Sequence, residues 1–132
     1  MFKSTTACSI AFLTMLTPGM AQTSTPLDMS QMDAKEVQTY LGTWIVKDES
    51  GKKKCTVNLT LDKVIGGMKI DVSKKCAKLF PLMGEVMAWR VYEGFEIAFA
   101  DATRKELIRF YTPDNDYISY KAVDGIFGLD KK

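Results

Sequence analysis

The 132 residues of this chain include no histidine, so any chemistry would fall to its carboxylates, hydroxyls, lysines, arginines and three cysteines. Without imidazole there is no His-based catalytic triad and no His ligand for zinc. Asp114 and Asp116 stand close together, but in the order Pro113-Asp114-Asn115-Asp116, where a turn favours those residues for backbone reasons. A calcium loop would want more oxygen ligands and a closing acid. Glu93, Glu96 and Asp101 fall on the polar phase of their segments, and no Gly-rich phosphate loop or nucleophile elbow is present. These residues predict a protein that is not an enzyme, with no cofactor and no metal of its own.

The cysteines have a different use. Met1-Phe2-Lys3 is a short positive start, residues 7–16 are apolar, and Pro18-Gly19-Met20-Ala21 puts small residues ahead of a cleavage point before Gln22. That is the layout of a secretory signal peptide over 1–21, too short to span a membrane. Cys8 lies too early to accept a lipid and leaves with the leader. A periplasmic or secreted product is expected, without a lipobox or membrane span. It keeps only Cys55 and Cys76, an even count in a compartment that permits disulfides. Their spacing gives no activating neighbour, so a structural bond is expected rather than a redox pair.

Charge excludes another class. The chain has 18 Lys and Arg against 16 Asp and Glu. Losing Lys3 leaves about one excess positive charge, and no basic stripe alternates with aromatics, which argues against nucleic acid. Lys52-Lys53-Lys54 reads as a solvated hairpin tip.

The elements that would hold the cysteines are short. Residues 22–26 (Gln22, Thr23, Ser24, Thr25 and Pro26) are small and polar without periodicity, so they are expected to be extended or mobile. Ser30 or Asp33 can cap a helix to about Tyr40, with Ala34, Val37 and Leu41 on one face and Gly42 ending it. The hydrophobic period then falls to two. Strands are predicted over 43–47, 55–61, 68–72, 86–92, 95–100, 106–112, 117–123 and 126–129. Cys55, Val57, Leu59 and Leu61 share one inward face, as do Phe95, Ile97 and Phe99. Residues 74–82 break the pattern and predict a long connection or a helical turn. Asp124-Gly125 is a strong two-residue hairpin signal.

Eight short strands joined mostly by hairpins bury one face best by closing into an up-and-down antiparallel barrel. A two-sheet sandwich is the structural alternative. The division expected is a leader at 1–21, an extended trunk at 22–32 and one all-β domain at 33–132. Trp44 and Trp89 fall on the apolar phase, and Trp44, Val57, Leu59, Ile70, Trp89, Phe99 and Phe110 are bulky enough to fill an eight-strand interior.

Several of these residues occur in a specific order. Leu41-Gly42-Thr43-Trp44 follows a short helix; Cys55-Thr-Val-Asn-Leu59 and Gly67-Met-Lys-Ile70 run on to Cys76 and Leu79-Phe80-Pro81; Trp89-Arg90 precedes Tyr117 and Val123-Asp124-Gly125. From Leu41 to the C-terminus this order resembles the AprI/Inh family of bacterial inhibitors of serralysin-type zinc metalloproteases. The resemblance implies a small lipocalin-like eight-stranded barrel with one disulfide, secreted to the periplasm and monomeric when free. It also implies a secreted zinc metalloprotease as partner. The trunk residues Gln22, Thr23, Ser24, Thr25 and Pro26 would then enter the protease cleft, with the zinc belonging to the target. Two other readings stay open: a lipocalin-like binder of a small ligand, and an envelope interaction module marked by an exposed apolar or aromatic patch.

Overall fold

The computed structural model describes residues 25–132, together with Ala11. The rest of the expected leader, and Gln22, Thr23 and Ser24 of the expected trunk, lie outside the described residues. The described chain opens with a 3-10 turn, Met29–Gln31, followed by helix α1, Ala34–Tyr40. Asp33 caps α1 by accepting a hydrogen bond from the Lys35 N–H at 2.8 Å. The eight strands are β1 Gly42–Asp48, β2 Lys54–Val64, β3 Gly67–Val72, β4 Ala88–Tyr92, β5 Glu96–Ala100, β6 Glu106–Tyr111, β7 Tyr117–Val123 and β8 Ile126–Lys131. Helix α2, Lys74–Leu79, and a second 3-10 turn, Pro81–Gly84, interrupt them between β3 and β4. The non-strand stretch expected at 74–82 is therefore helical.

Each strand pairs antiparallel with its sequence neighbour, and β1 pairs with β8 through Val46 and Leu129, so the sheet closes into a barrel. Closure gives every strand a neighbour on both sides. The period-two faces supply the filling. Trp44, Val57, Leu59, Ile70, Trp89, Phe99 and Phe110 are all buried, as expected. Trp44 meets Tyr117 edge-on at 5.3 Å, and Phe99 meets Phe110 at 5.4 Å. Those separations suit aromatic edge contacts. The Trp44 indole N–H donates to the Tyr40 carbonyl at 2.8 Å, which satisfies its polar atom and fixes α1 against the start of β1. Near the turn between β7 and β8, the Leu82 N–H donates to the Asp124 carboxylate at 2.6 Å and fastens the second 3-10 turn.

Two residues expected on the inward faces are not there. Leu61 is exposed because the β2–β3 register shifts between Leu59 and Lys63, ending the alternation that carries Cys55, Val57 and Leu59 inward. Phe95 is exposed because it belongs to the turn before β5, and the strand begins only at Glu96.

Cys55 and Cys76 are bonded, joining β2 to α2 across a sequence separation of 21. A loop of that length contributes about 3 kcal/mol by restricting the unfolded chain. Removing the bond with the Cys55→Ser, Cys76→Ser double variant is expected to lower the thermal midpoint by about 10–20 °C. Calorimetry of the oxidised and double-variant proteins measures this directly.

Candidate functional site

The barrel is closed, but two of its seams are short: β6 and β7 pair only at Phe110 with Ser119 and Tyr111 with Ile118, and the β3–β4 seam is as brief. Strands β3 and β4 pair at only two positions, Met68 with Trp89 and Lys69 with Ala88. Beyond them the tip of the β2–β3 hairpin turns aside, and side chains take over from the ladder. Trp89 donates its indole N–H to the Thr60 carbonyl at 2.9 Å. Arg90, which faces outward, donates to the Gly66 carbonyl through Nε, to the Arg104 carbonyl at 2.6 Å and to the Tyr92 hydroxyl at 3.1 Å. One guanidinium thus ties the β2–β3 hairpin to the β5–β6 turn across β4. Gly67 allows the approach: at φ 151°, a Cβ on it would lie 2.4 Å from the Trp89 carbonyl oxygen.

The part of β4 that β3 leaves unpaired is taken by the N-terminal segment. The Leu27 N–H donates to the Val91 carbonyl at 2.7 Å, and Pro26 forms an antiparallel bridge with Tyr92. Proline suits the outermost residue of an added strand, having no N–H to leave unpaired. Leu27, Met29 and Met32 pack half-buried against the core. Asp28 accepts hydrogen bonds from the Ser30 hydroxyl at 2.6 Å and N–H at 2.9 Å. Those bonds hold its carboxyl below the usual carboxylate pKa and cap the 3-10 turn. The inner half of the expected extended trunk is therefore an anchored strand and a turn.

Of the sequence-predicted site residues, Cys55 and Cys76 are joined, Pro26 sits on the seam and Thr25 is exposed beside it. An open groove of about 720 Å³ lies between 26–30 and the β2–β3 hairpin, walled by Leu27, Met29, Leu61 and Val64. Of the residues that fill the barrel, Trp89 borders the groove, while Trp44, Leu59, Phe99 and Phe110 do not.

The outer surface of β4–β7 carries the other cluster. The Arg109 guanidinium lies 3.8 Å over the Tyr92 ring and pairs with Glu106 at 2.7 Å and Glu96 at 3.7 Å. Tyr120 donates its hydroxyl proton to the Glu96 carboxylate, which raises the phenol's pKa, and its ring stacks on Tyr111 at 4.4 Å. Just ahead of Glu96, Phe95 is 54% exposed with φ 65°, in the left-handed region. A bulky residue there costs about 1 kcal/mol relative to glycine and recovers little by burial. Sequence reasoning missed Leu27, Val91 and Phe95. The sequence placed a turn at Glu93-Gly94 but put Phe95 in the strand that follows, and it did not show that this turn lies next to Pro26 and its partner Tyr92.

Among the described residues no group of three or more His, Cys, Asp or Glu could hold a metal ion, and no helix is long and apolar enough to cross a membrane. The described chain is a small, filled β-barrel with a peptide segment docked on a short seam between β3 and β4. The chain belongs to the family described as Protease inhibitor Inh, which matches residues 34–125. It is accordingly a protease inhibitor by class. The match starts at the first residue of α1 and includes the Asp124-Gly125 turn, so 22–33 lie ahead of it. No curated protein and no solved structure matches the chain.

The seam gives a measurable expectation. Gly67→Ala must displace the Trp89 carbonyl and adopt an unfavourable φ, so it is expected to destabilise the barrel by about 2 kcal/mol. Urea unfolding of the variant beside the wild type checks it, with the midpoint falling and the slope unchanged.

Proposed function

We propose that this chain, exported to the periplasm or beyond after loss of 1–21, inhibits a secreted zinc metalloprotease of the serralysin type. The residues we assign to the protease cleft are Gln22, Thr23, Ser24, Thr25 and Pro26. The observation that carries this reading is the anchor at the seam. Pro26 and Leu27 run antiparallel to β4, fixed by the Leu27–Val91 hydrogen bond, so the chain at Thr25 is directed past the end of β4. A short peptide delivered from a rigid support loses less conformational freedom on entering a cleft than a free one does. Its leading amine or carbonyl can ligate the target's zinc without presenting a scissile bond in register.

A small-ligand carrier is the weaker reading, because the bulky inward side chains fill the barrel.

Deleting 22–26 leaves Leu27 and its partner Val91 in place, so the thermal midpoint is expected to stay within a few degrees of the intact protein. The same deletion is expected to abolish inhibition of a serralysin-type protease in a peptide-cleavage assay. One residue added ahead of the true first residue, as defined by the intact mass of the secreted chain, is expected to raise the inhibition constant at least tenfold by displacing the zinc-facing group. Full-strength inhibition by the truncated protein would refute the trunk mechanism. Failure of the intact mature protein to inhibit any metalloprotease would refute the assignment of target class.

A further inference from the structure

We propose that Phe95, in the turn between β4 and β5, is a second contact with the target protease, packing on the rim of the cleft that the trunk enters. This rests on the trunk reading above and adds a residue on the barrel itself. Pro26 is paired with Tyr92, the last residue of β4, and the antiparallel sense carries Thr25 toward the turn at 93–95. A cleft that receives the chain ahead of Pro26 therefore also faces the turn at 93–95, which bears Phe95.

The residue itself is unusual for a turn. Its φ of 65° is a conformation that glycine, asparagine or aspartate adopts at lower cost, yet the position holds an aromatic ring that is 54% exposed. Folding alone gains little from such a choice, whereas a ring held clear of the barrel is suited to filling an apolar recess on a partner. Glu96, the residue after Phe95, accepts a hydrogen bond from the hydroxyl of Tyr120, a second aromatic residue that is 60% exposed.

Stability and inhibition should move independently at this position, which makes the test specific. Phe95→Gly relieves the backbone, so its thermal midpoint is expected to equal or exceed that of the wild type. Its inhibition constant against a serralysin-type protease is expected to rise at least tenfold, with Phe95→Trp retaining most of the affinity. Comparison with the 22–26 deletion separates the two claims. If the deletion loses inhibition while Phe95→Gly inhibits as well as wild type, the rim contact is overturned and the trunk mechanism stands. If Phe95→Gly loses inhibition while the deletion retains it, the turn is the primary contact and the trunk mechanism falls. A wild-type protein that inhibits no such protease overturns both.

Discussion

The short pairing between β3 and β4 is the constraint on which the rest of this structure depends. A barrel closed by main-chain ladders alone would have no room for an added segment, and the N-terminus would leave it unsupported. Here the ladder stops after two residue pairs, and its work passes to Trp89, Arg90 and the incoming Leu27. Trp89 and Arg90 satisfy the carbonyls of Thr60, Gly66 and Arg104 around β4, and Leu27 satisfies the Val91 carbonyl within it. Buried main-chain polar groups left unpaired would each cost more than a typical hydrogen bond returns, so the seam holds only as a set.

That arrangement also explains the outer surface of the sheet. Ala88, Ala98 and Ala100 point out of the barrel yet are fully buried. Small residues on that face let Arg90 lie flat against the strands and reach carbonyls on both neighbouring turns. Further along, Ala98 stands opposite both Arg90 and Arg109, and Arg109 covers the Tyr92 ring. The two arginines brace the end of β4 on which the N-terminal segment is laid. Stability and presentation of the segment therefore draw on the same side chains, while the disulfide independently secures β2 to α2.

Much of the fold was legible in the residues. The alternation of apolar positions gave the strands, the hairpin signals gave their sequential pairing, and bulky residues on the inward phase implied a filled barrel. Asp33 was one of two caps the sequence offered for the first helix, and a helical turn was one of two forms open to 74–82. The failures were at Leu61 and Phe95, where alternation was extended one step too far. A bulge and a turn boundary are set by strand pairing, which a two-residue period does not encode. The candidate site was legible only in outline. Small polar residues after a cleavage point suggested a trunk, but nothing local to Pro26 or Leu27 marked the anchor, because their partners lie some 65 positions away at Tyr92 and Val91.

The sequence by itself determined the composition limits and the local elements: no histidine chemistry, near-neutral charge, two cysteines after the expected leader, one short helix and a train of strands. These depend on residue type and on neighbours within a few positions, where propensity, capping and periodicity act. The family relationship also lies in the sequence, across residues 34–125. Only the tertiary structure decided that β3 parts from β4, that Arg90 bridges two turns, and that Pro26 and Leu27 pair with the freed end of β4. Those features arise from groups distant in sequence competing for the same hydrogen-bonding edge. The outcome depends on the geometry of barrel closure, which no single segment contains.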